Sequence, residues 1–394
     1  YPHPVFKEQL EETYGVMVNQ EDVMKIANAY GGLDMGDADV LRRMMSGKYR
    51  SKEHLIEIED KYFANCKVKG YPESASKEIW RQMESFAGYS FNKAHSASFA
   101  VESYQSLFLK TYYPKEFMVA VLNNYGGFYN RKVYVNEAMV AGATINLPCV
   151  NKSVFNTCIY GDDIYLGFDC LLNLEDKLAH RISEERIRNG VYQSLEQFVM
   201  RTGAGLEQLV VLIRVGALRF FGVGKKELLW EAHLLLSGVK KQTSEGQLFE
   251  SGTRKPILPK LETSVLEDVY DEIELIGFPV TKKIFDLARS PYRGDIPAKN
   301  LLQHVGRTVR MVGDFVADKT VRTKHGDYMK FGTFLDERGA FFDTVHFPPT
   351  LKTYPLRGAG LYLLEGVVNN EFGCPSLTIS KCGKMPLKQD PRSE

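Results

Sequence analysis

The sequence predicts a multi-domain fold that is mainly α-helical from residue 1 to 235 and all-β from 301 to 388. In the first part, apolar residues recur one helical turn apart, and glycine or proline closes the runs. From 307 to 381, short alternating runs with Gly-rich turns replace that spacing, which is typical of β-strands. At 394 residues, 44% of them hydrophobic, the chain is long enough for two to four globular domains.

Three predicted helices in the first 113 residues have clear end signals. Asn19 is the expected N-cap of a helix that stops at Gly31-Gly32, and a second helix is expected from about 37 to 45. Nothing breaks a helix from 96 to 113, and Pro114 marks its end. The repeating apolar and aromatic residues of this third helix predict that it is buried.

Polar residues at two of these helices are candidates for anion contacts. Arg42 and Arg43 are adjacent, and guanidinium groups hold phosphate through paired charge-assisted hydrogen bonds. The start of the third helix offers free backbone amides, which favour anions. The side chains of that loop are Asn92, Lys93, His95 and Ser96. The alternatives are a solvated arginine face and a capped helix whose Lys and His lie at the surface.

No metal site and no catalytic residue is predicted in the chain. Asp37 and Asp39 have Asp-x-Asp spacing, but they lie at a predicted helix start, where aspartate is a common cap. The six cysteines contain no CxxC pair, so we expect reduced thiols and neither a zinc ribbon nor a redox motif. A signal peptide and a membrane-spanning apolar run are both missing, which predicts a cytoplasmic protein with no membrane partner.

Longer strings carry a resemblance to a known family. They are TYGVMVNQEDVM at 13–24, GDADVLRRMM at 36–45 and FAGYSFNKAHSASFAVESYQSLFLKTYYPKEFM at 86–118. In this order they resemble the fingers region of bacterial DNA polymerase III alpha subunits. The resemblance extends over nearly the whole chain and is strongest over 13–118. It implies that the chain is the C-terminal part of a DNA-directed DNA polymerase, downstream of the palm.

The resemblance also implies roles for individual residues. In this family the Leu-Arg-Arg element of the fingers faces the phosphates of the incoming nucleotide. It follows that Arg42 and Arg43 would bind a deoxynucleoside triphosphate, with Lys48 and Lys93 behind them. A DNA primer-template is the implied partner, and magnesium is the implied cofactor of the full-length enzyme. Its palm carboxylate ligands are missing here, so the isolated chain is expected to be inactive.

Residues 126–235 resemble the clamp-proximal region of the family, whose helix-hairpin-helix units offer backbone amides to duplex phosphates. The first hairpin departs from this pattern, because 172–176 is apolar and acidic and lacks glycine. The second unit is better preserved. Its candidate duplex contacts are Gly222, Gly224, Lys225 and Lys226. A helix cap with a basic first turn is the alternative.

A linker is expected from 236 to 300, and the charge changes sign along it. Residues 262–274 hold six acids and no base, whereas 281–330 hold 11 basic and 5 acidic residues. The family carries a sliding-clamp peptide in this linker, and Gln247, Leu248 and Phe249 are the candidate anchor. A loop that folds back is the alternative, because the spacing of these residues departs from the usual peptide.

Five strand-like runs between 301 and 388 predict a small barrel of the OB type, followed by a tail at 389–394. OB barrels bind single strands by aromatic stacking beside basic side chains. The candidates are Arg322, Lys324, Tyr328, Lys330 and Phe331. Core packing is the alternative for Phe331.

These observations give one predicted organisation: polymerase fingers at 1–125, a helix-hairpin-helix domain at 126–235, a linker at 236–300 and an OB-type barrel at 301–388. The predicted function is the C-terminal portion of a replicative-type DNA polymerase. An error-prone, lesion-bypass paralogue is one alternative, because Gly127-Phe128-Tyr129 and residues 225–230 resemble that branch of the family. A non-catalytic accessory protein that binds DNA or a clamp is the other.

Overall fold

The computed structural model describes residues 1–45, 52–85, 91–237, 261 and 264–393. They fall into two compact units, Tyr1–Thr111 and Tyr112–Glu394. The candidate residues Lys48, Gln247, Leu248 and Phe249 lie outside the described residues.

The first unit is helical, as its apolar spacing predicts. Its helices are α1 (Pro4–Gln9), α2 (Gln20–Ala29), α3 (Met35–Met45), α4 (Lys52–Val68) and α5 (Glu73–Ser85), and α6 (Lys93–Tyr112) reaches its boundary. Asn19 is the N-cap of α2, as predicted, and its backbone N–H donates to the Asp22 carboxylate at 2.9 Å. The apolar faces of these helices pack around Phe6, Ile26, Tyr30 and Tyr62, all fully buried.

The prediction of a buried third helix is wrong for the described residues. Helix α6 forms where the sequence predicts it, but none of its side chains is buried. Phe99 is 53% exposed and Tyr104 78% exposed, because no element in the described ranges covers them. The apolar side chains of α6 are therefore not covered by any of the described residues. Over the described residues, no helix has the length and apolar character needed to cross a bilayer.

The second unit begins with a helical part. Its helices are α7 (Pro114–Asn123), α8 (Arg131–Val140), α9 (Asp176–Asn189), α10 (Leu195–Thr202), α11 (Leu206–Arg214), α12 (Lys225–Ser237) and α13 (Val265–Ile276). A small sheet of β1 (Thr144–Asn146), β2 (Cys158–Tyr160) and β3 (Asp163–Tyr165) lies between α8 and α9. The core contains Phe168, Ile182, Phe198 and Leu212, which are almost fully buried.

The C-terminal part is a closed five-stranded barrel. It consists of β4 (Thr308–Arg322), β5 (Tyr328–Leu335), β6 (Phe341–His346), β7 (Leu361–Glu371) and β8 (Cys374–Lys384), with α14 (Pro348–Thr353) between β6 and β7. The strand order is β4-β5-β6-β8-β7, and β6 pairs with β8 in parallel. This Greek-key order with a closed ladder confirms the predicted OB-type barrel.

Partly buried ion pairs join the barrel to the helical part of the same unit. Lys132 of α8 donates to both oxygens of Asp314 on β4 at 2.9 Å and to the Phe315 carbonyl at 2.9 Å. The residues after β8 return to the helices, where Arg392 pairs with Asp271 at 2.5 Å. Both links are long-range in sequence, so the barrel is held against the helical part at two separate places.

Candidate nucleic-acid interface

The two arginines predicted to hold phosphate already share one carboxylate. Arg42 donates to Asp39 Oδ1 through Nε at 2.9 Å and Nη2 at 2.7 Å, and Arg43 Nη2 lies 2.7 Å from Asp39 Oδ2. These contacts, with the Arg42 hydrogen bond the largest, lower the pKa of Asp39. A helix turn therefore presents two guanidinium groups to one anion, which is the arrangement that a phosphate would use. It also shows that Asp39 serves as an arginine partner here.

The predicted loop at the start of α6 meets the same region of the first unit. The Lys93 backbone N–H donates to Glu21 Oε2 at 2.9 Å, and Arg42 Nη1 donates to Gln20 Oε1 at 3.2 Å. Neighbouring residues at the start of α2 thus contact both candidate groups. The Lys93 ammonium hydrogen-bonds to Glu12, which raises the pKa of Lys93. Any anion at this place must compete with carboxylates.

The other three polar residues of that loop, Asn92, His95 and Ser96, hydrogen-bond to one another. The backbone N–H of His95 donates to the Asn92 side chain at 2.7 Å, and the Ser96 hydroxyl donates to the Asn92 carbonyl at 2.9 Å. Asn92 therefore caps α6 and satisfies one of the amides that the sequence offered to an anion.

Two hairpins lie side by side in the helical part of the second unit. In the first, Asn173 takes the left-handed conformation at φ 66°, so the turn forms without glycine. The backbone N–H of Glu175 in this hairpin donates to Gln208 Oε1 at 2.8 Å, and Gln208 Nε2 donates to the Asn173 carbonyl at 3.1 Å. The Gln208 side chain of α11 therefore already accepts a hydrogen bond from the backbone N–H that a phosphate would need.

The second hairpin is a Gly-x-Gly turn that the sequence analysis did not single out. Gly203 ends α10 at φ 64°, and Gly205 precedes α11 with open space where a Cβ would lie. A cavity of about 570 Å³ beside this turn is lined in part by Lys177 and Arg181. The signal was present in the sequence as Gly203-Ala204-Gly205 between two helical runs.

The basic pair at the start of α12 faces acids of α13. Lys225 Nζ lies 2.7 Å from Asp268, and Lys226 Nζ lies 3.1 Å from Glu267. Gly222 has a left-handed φ of 69°, as a helix-capping glycine requires. Gly224 lies between that turn and α12. The structure thus brings Gly222, Gly224, Lys225 and Lys226 together, with both ammonium groups paired.

The barrel candidates separate onto two sides of one hairpin. Tyr328 pairs with Arg322 across the β4–β5 ladder, whereas Phe331 pairs with Lys319. Because strand side chains alternate, Tyr328 and Lys330 share one side and Phe331 lies on the other. Tyr328 is 63% exposed and Phe331 44% exposed, so both rings are accessible.

The charges of this hairpin are used unequally. Lys330 Nζ lies 2.5 Å from Asp318, and the pair stands near the buried His346. Arg322 Nε donates to the Gly326 carbonyl at 3.3 Å. Lys319, Arg322 and Lys324 are exposed, and no described carboxylate pairs with them. Lys319 was not predicted, although strand alternation places it beside Phe331.

No group of three or more His, Cys, Asp or Glu side chains in the described ranges is arranged to hold a metal ion. The six cysteines are free thiols, as predicted.

Comparison with protein-family models gives two matches. The model described as "Bacterial DNA polymerase III alpha subunit finger domain" matches residues 1–70, and the helix-hairpin-helix motif matches 142–228. The first range contains Arg42 and Arg43, and the second contains both hairpins and the start of α12.

Curated relatives align along most of the chain, and all three named here are described as DNA polymerase III subunit alpha. The protein of Borreliella burgdorferi is 29% identical over 95% of this chain and 34% of its own length. That of Aquifex aeolicus is 30% identical over 88% of this chain and 30% of its own length. That of Thermus aquaticus is 36% identical over 54% of this chain and 18% of its own length. The chain spans about a third or less of these relatives, and their shared description favours neither alternative function.

A solved structure, the second OB-fold domain of replication protein A from Methanococcus maripaludis, covers 22% of this chain and 90% of its own at 11% identity and a TM-score of 0.17. The assignment of the barrel rests on its strand order and not on this match.

Proposed function

This chain belongs to the family of bacterial DNA polymerase III alpha subunits, and from that premise we propose that it forms the fingers and the DNA-binding C-terminal portion of a replicative-type DNA polymerase. The observation that carries the proposal is the match of the finger-domain model to 1–70, the part of the chain that holds Arg42 and Arg43 on α3. The reaction is DNA-directed nucleotidyl transfer by the full-length protein.

The first unit supplies contacts to the triphosphate of the incoming nucleotide. Asp39 holds the two guanidinium groups of Arg42 and Arg43 together, and a triphosphate with more charge competes with that carboxylate for them. Lys93 and Lys48 are further candidates for the same role, and Asn92, His95 and Ser96 shape the loop beside it. Magnesium would be held by carboxylates of the full-length protein outside this chain.

The second unit binds DNA. Its helix-hairpin-helix part would contact the duplex through Gly222, Gly224, Lys225 and Lys226 and through the Gly203–Gly205 turn, where Gly205 leaves open space just before the first turn of α11. The barrel would hold the single strand through the β4–β5 hairpin. A sliding clamp is the proposed partner of Gln247, Leu248 and Phe249.

The test uses the full-length polymerase that carries this chain. Arg42→Ala with Arg43→Ala should raise the nucleotide KM or lower kcat about ten-fold or more, because a charge-assisted contact to phosphate is lost, while primer-template affinity stays within two-fold. Arg81→Ala is the matched control, since Arg81, like Arg42, is paired with a carboxylate three residues earlier on its own helix. Equal nucleotide kinetics in the double variant and the control would contradict the nucleotide-binding role.

The isolated chain is expected to incorporate no nucleotide, because the metal-binding carboxylates lie elsewhere. Primer extension by the purified 394-residue chain, abolished by a chelator, would contradict this expectation.

A further inference from the structure

The turn between β7 and β8 contains an aromatic residue in an unfavourable place. Glu371 pairs with Cys374, so the hairpin is closed by the two residues Phe372 and Gly373. Their φ angles are 53° and 86°, and positive φ at both central positions is the mark of a type I′ turn. The first position of such a turn is normally Asn, Asp or Gly, because a bulky side chain is strained in the left-handed region.

Phe372 also gains nothing from burial. Its relative exposure is 106%, the highest among the large apolar side chains of the described residues. A phenylalanine that is strained and fully exposed opposes folding in two independent ways, and Asn at this position would relieve both. Local rules broken without a compensating contact in the fold mark candidate binding positions.

The surface next to this turn carries further exposed rings. The parallel register of β6 and β8 pairs Asp343 with Ser376, which places the start of β8 beside Phe341. Phe341 is 42% exposed. Phe334 and Phe342 are paired and face the core, and strand side chains alternate, so Phe341 and Phe331 both point to the outer side of the barrel. Separate exposed aromatic side chains therefore lie along this side of the barrel, with Phe331 near the β4–β5 hairpin, Phe341 at the start of β6 and Phe372 at the β7–β8 turn.

We propose that Phe372 is a stacking residue for a base of single-stranded DNA, at the far end of a track that begins at the β4–β5 hairpin. This rests on the proposed function of the barrel and adds a residue to it. In an OB-type barrel the loops after the first and fourth strands flank the face of the second and third strands, where oligonucleotides lie. Phe372 lies in the second of these loops, and the first holds Lys324 and begins directly after Arg322.

Charge at the β4–β5 end of this surface favours nucleic acid over a protein partner. At the other end of the track are the exposed basic side chains of Lys319, Arg322 and Lys324, which can contact a phosphate backbone. Spaced rings beside basic groups are the combination that binds single strands with little regard to sequence. An apolar protein surface would need none of these cations.

The experiment compares Phe372→Asn with the unaltered 394-residue chain. We expect the thermal midpoint to rise by roughly 2 °C, because the turn is relieved of strain, and the affinity for a mixed-sequence single-stranded oligonucleotide to fall by roughly five-fold or more, because one stacked base is lost. Phe372→Trp should keep the affinity. Tyr14→Asn is the matched control, since Tyr14 is also exposed and has a φ of 54°, but lies in the first unit.

Two results would overturn the inference in different ways. If Phe372→Asn binds the oligonucleotide as tightly as the unaltered chain, Phe372 is not a DNA contact, and the role of the barrel stands. If the unaltered chain binds no single strand at all, the proposed role of the barrel and the inference both fail.

Discussion

Two basic patches of the second unit, at α12 and at the β4–β5 hairpin, have similar sequence signals and different surroundings. Lys225 and Lys226 face the acids of α13 at 2.7 and 3.1 Å. Lys319, Arg322 and Lys324 are exposed, with no described carboxylate as partner. A cation that already has a carboxylate partner gains less from a phosphate, because it must give up one ion pair to form another. The comparison teaches that a count of basic residues in the sequence overestimates DNA binding wherever the fold places carboxylates next to those residues.

Lowering the pH should have the largest effect, because it should unfold the barrel before the helical part of the same unit. His346 is fully buried, and burial, with the nearby Lys330 ammonium second, lowers its pKa to about 4. The folded pKa lies below the ordinary value, so the stability that this group contributes is lost as pH falls from about 6.5 towards 4, up to roughly 3 kcal/mol. Urea unfolding of the chain followed at pH 7 and pH 4.5 should show the barrel unfolding first at the lower pH.

A histidine variant isolates this effect. Burial raises the pKa of Asp314 at the junction, which acts in the opposite sense. His346→Gln should therefore flatten the loss of stability between pH 6.5 and 4.5. An equally steep loss in the variant would assign the acid sensitivity to other groups.

The next effect concerns single-strand binding. Lys319→Ala with Arg322→Ala and Lys324→Ala should weaken binding of a single-stranded oligonucleotide about ten-fold at low salt and reduce the salt slope by about 2, since each neutralised phosphate of a single strand contributes about 0.7. Fluorescence anisotropy across a salt series measures both. Lys225→Ala with Lys226→Ala is the control and should stay within two-fold; a larger loss in the control would reverse the comparison.

The smallest effect is expected from a variant that removes the difference in ion pairing between the two basic patches. Glu267→Gln with Asp268→Asn removes the partners of Lys226 and Lys225. The two ammonium groups then become available, and affinity for a short duplex should rise by about two- to five-fold, as expected for one or two added phosphate contacts. Unchanged duplex affinity would show that α12 does not face DNA.

The sequence by itself determined the elements whose signals are local. Asn19 at the start of α2 and the alternating runs of the barrel were both predicted, because caps and strand alternation depend on residues a few positions apart. The same alternation already separates Tyr328 from Phe331, and Gly203-Ala204-Gly205 was readable as a hairpin between two helices. The family was also evident from contiguous strings of residues.

Only the tertiary structure decided which of the predicted contact groups already have a partner within the protein. The partners of Lys225 and Lys226 come from acids about forty positions along the chain, and Gln208 reaches back to the hairpin amide of Glu175. The exposure of α6 and of Phe372 likewise depends on what packs nearby in space. Ion pairing and burial depend on distance in space, and sequence patterns report spacing along the chain; this is why charge and apolarity predicted the elements but not their surroundings.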